Sequence, residues 1–212
     1  AAAHSGDFHA ELALAAPARG FHIFANVFKF HAACAGTHST IDALNALRVQ
    51  NNWQPDQIER VVVGMSPRLD RVCNIAAPRT GMEIKFSLRM TAALALAGID
   101  TADPAIFTDA LAHDSHLMRL RDRVVVTADE AILPMDTHVE VTLRDGRMFS
   151  AVHAGDQPEA DIAVQGQRVR NKFNRLARPI IGAARADTLA QRIYSFQNET
   201  VIRELMDLAV PA

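Results

Sequence analysis

Cysteine, tryptophan, tyrosine and uninterrupted apolar runs are all scarce in this chain. Its 212 residues include two cysteines, one tryptophan and one tyrosine. Cys34 and Cys73 are too few for the disulfide framework of a small secreted domain. Cys34, set among histidines, reads as a free thiol of a reducing compartment, so a cytoplasmic protein is expected. No apolar run approaches the roughly 20 residues that span a bilayer; the longest, Ala92 to Ile99, falls well short. No block of one charge is present either. The formal net charge is -2 with the signs interspersed, which argues against nucleic acid or an anionic membrane as partner. The opening, Ala1 to Gly20, lacks the basic and apolar regions of a secretory signal, and it starts with alanine, so we expect a chain that begins inside a longer one.

With 49% of residues hydrophobic, the chain can bury a packed core in one large or two small domains. Residues 1–20 are alanine-rich without a period and read as a flexible arm or the remnant of a preceding domain. Phe21 to Phe30 reads as an extended segment. Ser39 and Asp42 have capping-box spacing ahead of Ile41, Leu44 and Leu47, which predicts a helix from about Thr40 to Asn51. The Val-rich run Ile58 to Met65 reads as a strand. Thr80 and Glu83 form a second capping box, expected to open one long helix ending at Gly98. Asp103 with Pro104 predicts another helix start, and Asp114 or Ser115 a short helix carrying His116 and Met118. Arg123 to Thr127, His138 to Leu143 and Arg147 to His153 read as strands, the last two joined through Asp145 and Gly146 in a hairpin. Beyond Gly155 the strand signals stop. Val164 to Ala177, Ala183 to Gln197 and Glu199 to Ala209 read as helices, with Pro179 between the first two. The expected fold is α+β: a two-layer, mixed β-sheet packed with helices over residues 21–155, then a helical C-terminal segment over 156–212.

Reactive side chains are densest from Lys29 to His38, just ahead of the first predicted helix. A helix N-terminus offers unpaired N–H groups and a positive dipole end, which attract carboxylates and disfavour imidazolium. His38 should therefore tend towards neutral and accept a proton, while Lys29 supplies a cation for a substrate carboxylate or an enolate-like charge. The alternative is plainer: Lys29 as a surface charge, His38 as a cap or core residue. His31, Cys34 and His38 have the spacing H-x2-C-x3-H, but no fourth ligand is evident, so no metal is expected. Arg79, Lys85 and Arg89 surround the second cap, where a di- or tricarboxylate would find cationic partners; equally, they form solvated faces or pair with Glu83. His113 and His116 read as solvated.

These residues resemble a known family. Lys29, Cys34 and His38 followed by Ser-Thr-Ile-Asp-Ala are similar to the K-x-[YF]-x-x-C-x-x-x-H-x-x-I-D-A pattern of MmgE/PrpD proteins. Pro78-Arg79-Thr80-Gly81-Met82-Glu83-Ile84-Lys85-Phe86-Ser87-Leu88 resembles its second signature. Val139 to Arg147 resembles its late hairpin, and Lys172-Phe173 its C-terminal tail. The resemblance implies a two-domain enzyme, all-helical and α+β, with the C-terminal helices returning to the all-α domain. It implies a lyase or isomerase (2-methylcitrate dehydratase, cis-aconitate decarboxylase and iminodisuccinate epimerase are members) acting on a small polycarboxylate without a required organic cofactor or iron-sulfur cluster. Lys29 and His38 fall on the family's catalytic Lys and His, with Cys34, Arg79 and Lys85 beside the substrate. Cys34 stands where the decarboxylase branch has a His, and Met90 where several members have a Tyr, which points to dehydration or epimerisation. The resemblance covers the C-terminal half only. The expected partners are thus an N-terminal helical domain or a partner chain supplying it, and a second copy in a homodimer, with the isolated chain inactive. A non-catalytic interaction subunit is the alternative.

Overall fold

Two strands with valine at alternate positions set the frame, since alternate side chains of a strand share a face. β1 (Ile58–Met65) buries Ile58, Val61, Val63 and Met65, and β3 (Asp136–Leu143) buries Thr137, Val139, Val141 and Leu143. They pair antiparallel in the register Val61 with Val141 and Val63 with Val139, which stacks the valines on one face. The computed structural model describes residues 11, 15, 16, 20, 21, 23, 26–155, 157–198 and 201–211. Within these, β2 (Val124–Ala128) pairs parallel to β1, and β4 (Met148–Ala154) pairs antiparallel to β3, in a four-stranded mixed sheet of order β2-β1-β3-β4. Gly146, at φ 85°, makes the turn between β3 and β4, a conformation glycine adopts without cost.

Helices cover the apolar face, as an α+β fold requires. In chain order they are α1 (His38–Asn51), the short α2 (Asp70–Cys73) and α3 (Gly81–Ile84), α4 (Leu88–Leu96), α5 (Asp109–Ala112) and α6 (Ser115–Arg121). α1 presents Ile41, Leu44 and Leu47 to the core. Its start is tied to the sheet by hydroxyls: Thr137 Oγ1 donates to the Gly64 carbonyl (3.0 Å), so Thr40 Oγ1 must donate to Thr137 Oγ1 (3.1 Å). Ser39 and Asp42 do not form the expected capping box. A 3-10 turn, Ala35–Thr37, leads into the helix, Ser39 Oγ donates to the Met135 carbonyl, and Asp42 binds His31. Tertiary partners have taken both side chains.

The long helix expected from Thr80 to Gly98 is two helices. Thr80 Oγ1 caps α3 by accepting from Glu83 N (3.2 Å), but Glu83 closes its side of the box on Arg79 N (2.6 Å). Ser87 then interrupts. Its hydroxyl accepts from Met90 N (3.2 Å), capping α4, and donates to the Ile75 carbonyl (2.6 Å). Every residue of α4 except Arg89 is buried, and it packs against α1, α6 and β2 at the centre of the core, which explains its near-absence of polar residues. Ser87 itself is fully buried. Ser87→Ala removes the cap and the hydroxyl that serves the Ile75 carbonyl, so it should cost about 1–2 kcal/mol. Urea unfolding checks this, and an unshifted midpoint would show the hydroxyl to be dispensable.

Asp103 and Pro104 start only a 3-10 turn, Pro104–Ile106, because the α5 cap at Thr108 follows at once. α6 begins as expected, with Asp114 accepting from Leu117 N (2.9 Å). Residues 26–30 join no strand, and most of the expected arm lies outside the described residues, as do positions 22, 24 and 25. In the tail, α7 (Ile162–Ile181) runs through Pro179 and ends at Gly182, where φ is 79°. Pro179 sits in the last turn, where one missing N–H does not stop the helix. α8 (Ala183–Tyr194) and α9 (Ile202–Leu208) are each shorter than expected. Ile181, Ala186, Leu189 and Leu205 form a second small core there, apart from the main one. Among the described residues no helix is long and apolar enough to cross a membrane.

Candidate functional site

Ahead of the 3-10 turn Ala35–Thr37, the segment from Lys29 to Cys34 has no regular structure, yet its backbone is pinned at two points. Ala32 N donates to the Thr101 carbonyl and Cys34 N to the Lys85 carbonyl, each at 2.8 Å. The loop is thereby held against the turn after α4 on one side and the turn after α3 on the other. Of the cavities that border it, two hold its reactive side chains. The larger, of about 470 Å³, is bounded by Lys29, His31, Cys34, Lys85 and Lys172 over an apolar floor that includes Phe86. The smaller, of about 70 Å³, is bounded by Phe30, His38, Asp42, His153 and Arg168.

His31 stands between the two and has both ring nitrogens occupied. Nε2 lies 3.1 Å from Asp42 Oδ1 and so donates to it; Nδ1 lies 2.7 Å from Thr101 Oγ1. Burial alone would raise the Asp42 carboxyl, but the His31 hydrogen bond and the charges of His31, His153 and Arg168 outweigh it and hold it below the usual carboxylate range. The His38 ring meets the edge of His31 at 4.9 Å between centroids. Its Nε2 faces the Ala33 carbonyl at 3.4 Å, which requires a proton on Nε2 and leaves Nδ1 as the acceptor. Among the described residues Nδ1 has no hydrogen-bond partner. The His38 pKa is lowered to about 4, by burial first and then by the charges of His31 and Lys29, against the opposing Ala33 carbonyl and Asp42. Burial is thus the chief cause of its neutrality.

Of the residues singled out in the sequence, Lys29, Cys34 and Lys85 line the larger cavity together, while His38 lies beyond His31 in the smaller one. Arg79 lines neither; its side chain is exposed. Cys34 is half-buried with the fully buried Cys73 beside it, whose thiol is pushed up to about 12 by burial and then by Cys34. Met90 is buried in the main core and lines neither cavity. Among the described residues no three His, Cys, Asp or Glu side chains converge as a metal site. Sequence reading took Asp42 for a cap, His31 for a possible ligand and Lys172 for part of a tail. Each stands in a family block: His31 where the pattern has an aromatic residue, Asp42 as the acid of Ile-Asp-Ala, and Lys172 in the tail block.

Three cationic side chains around one cavity, beside a neutral histidine, suit a site for anionic substrates. No curated protein matches the sequence. The profile of the MmgE/PrpD C-terminal domain matches residues 31–195, from His31 in this loop to just past the end of α8, with Lys29 immediately ahead of it. The match spans most of the chain, and the chain belongs to the MmgE/PrpD family, of which it carries the C-terminal domain.

Proposed function

We propose that the chain forms the cationic half of a cofactor-independent lyase or isomerase site for small polycarboxylates. The observation that carries this reading is that Lys29, Lys85 and Lys172 share one cavity that, among the described residues, no Asp or Glu lines. Among the described residues none of the three has a carboxylate partner; Lys85 lies 5.1 Å over the Phe107 ring instead. Unneutralised ammonium groups facing a cavity are matched by an anionic ligand.

In this reading Lys29 and Lys85 hold substrate carboxylates and favour the charge that develops when a neighbouring C–H bond breaks. His38 Nδ1 takes the proton, because His31 has no nitrogen to spare. The C–H electron pair then forms a C=C bond as the C–O bond breaks, the imidazolium proton leaving with the hydroxyl as water. In epimerisation the carbon is reprotonated instead. A substrate reaching from Lys29 to His38 crosses the His31 edge.

Citrate serves as a probe of the site. It is expected to raise the melting temperature of the chain, less so for Lys29→Met or Lys85→Met, and less at high salt, while butyrate does little. If citrate gives no shift, or the lysine variants respond like the parent, the reading fails. Exposed Ile162, Ile180, Tyr194 and Met206 on the tail helices support a second element of the proposal, an apolar partner domain or chain completing the site. If the complete assembly turned over as before with both Lys29 and His38 replaced by alanine, the interaction-subunit reading would be preferred.

A further inference from the structure

α7 carries Arg168, Lys172 and Arg175 at spacings of four and three, which places them on one face of the helix. That face lies against the Lys29–His38 loop and the turn after α4. The Arg168 guanidinium stacks 4.1 Å from the centre of the Phe30 ring and lies 3.9 Å from Asp42 Oδ2. Arg175 pairs with Asp100. Lys172, between them, differs: its ammonium donates to the backbone carbonyl of Lys29, and no carboxylate meets it among the described residues. The two arginines therefore have anions to dock on, while the lysine brings an uncompensated charge to the wall of the larger cavity. A carbonyl can take one of an ammonium's three protons, and two remain for a ligand.

We propose that Lys172 is a substrate-binding residue, which binds a second or third carboxylate of the ligand held by Lys29 and Lys85. This inference rests on the reading of the site given above. It makes the tail helix one wall of the substrate site. It also ties selectivity to charge number, because a monocarboxylate occupied by Lys29 has nothing left for Lys172. The arginines on either side act as docking groups, so Lys172 needs no ion pair of its own to stay in place.

The test is calorimetric titration of the chain with citrate and with butyrate, using Lys172→Met, Lys172→Arg, and Arg178→Met as a control. Arg178 pairs with Asp187 on α8 at 2.9 Å and lines none of the cavities around the loop. Lys172→Met should bind citrate roughly tenfold more weakly, as expected for one charge-assisted hydrogen bond. Lys172→Arg should recover most of the loss, Arg178→Met should match the parent, and butyrate should not distinguish any of them. Because Lys172 is partly exposed, helix content should be unchanged, and Lys172→Gln gives an independent variant with the same expected loss. If Lys29→Met weakens citrate while both Lys172→Met and Lys172→Gln bind it like the parent, the inference is overturned and the site reading stands. An equal loss in Arg178→Met would also overturn it, by showing a general charge effect. If the parent binds no citrate, the site reading falls and takes the inference with it.

Discussion

Replacing His38 by glutamine is expected to slow turnover by roughly 10²- to 10⁴-fold in the complete assembly, measured on 2-methylcitrate, cis-aconitate and iminodisuccinate, and to make the fold less sensitive to acid. Both effects arise from one ring held neutral, with a pKa of about 4 against 6.5 when unfolded. A group whose pKa is depressed by folding binds protons more readily in the unfolded chain. Its contribution is therefore complete above pH 6.5 and is lost as the pH falls towards 4. In a dry interior a shift of this size would be worth about 3 kcal/mol; the ring is only partly buried, which reduces this to about 1–2 kcal/mol. The Asp42 carboxyl, held low, adds stability that is lost in the same direction on further acidification. Glutamine does not titrate, so the slope of stability between pH 6.5 and 4 should flatten. The parent should also retain an unprotonated base down to about pH 4, with no break in rate near 6.5 from this group. A flattened stability profile with undiminished turnover would make His38 a packing residue and remove it from the reaction.

Gly81→Ala should be the most damaging small substitution in the described chain. A Cβ at position 81 would lie 1.9 Å from the Phe107 carbonyl oxygen, 2.5 Å from its carbon and 2.9 Å from Thr108 N. These are backbone atoms with little freedom to retreat: Thr108 caps α5, and Asp109 Oδ1 accepts from Gly81 N at 2.8 Å. Relief requires that the 107–109 strand of contacts separate from the start of α3, so a cost of about 3 kcal/mol or more is expected. For a domain of ordinary stability that is a large share of the total. The urea midpoint should fall accordingly. Gly146→Ala serves as the comparison: nothing lies within 4 Å, but φ is 85°, and strain alone should cost about 1–2 kcal/mol. Equal losses in the two variants would mean that the close approach at Gly81 is relieved elsewhere.

The strands were legible because their signal is local. A Val-rich run placed β1, the short stretches on either side of Asp145 and Gly146 placed β3 and β4 to within one or two residues, and that Asp-Gly pair placed the turn. α4 was legible as helix but not as a separate one, since the break at Ser87 depends on the Ile75 carbonyl twelve residues away. Asp42 looked like half of a capping box for the same reason: a carboxylate three residues after a serine is a cap until a histidine from another segment claims it. At the site, the short reactive loop was visible as a cluster of residue types, and it does bring Lys29 and Cys34 to one cavity, joined there by Lys85. What the spacing could not carry was the side of His31 on which His38 would fall, or that the tail would return Lys172 to the loop. Both depend on how separate elements pack.

The sheet order also has a consequence for how the molecule is assembled. The hairpin joins Thr142 to Met148, whereas the parallel pair joins Val61 to Val124. Closing the parallel pairing means ordering the whole crossover between them, and docking β1 on β3, in the register Val61 with Val141, spans a longer stretch still, so both pairings of β1 should follow the hairpin. Until they close, the edges of β1 present unpaired N–H and C=O groups along a valine-rich strand. An intermediate of that kind is a template for another chain's β1. Refolding yield should accordingly fall with protein concentration, and more steeply when changes near Val61 or Val124 slow the pairing of β1 than when they lie in the hairpin turn.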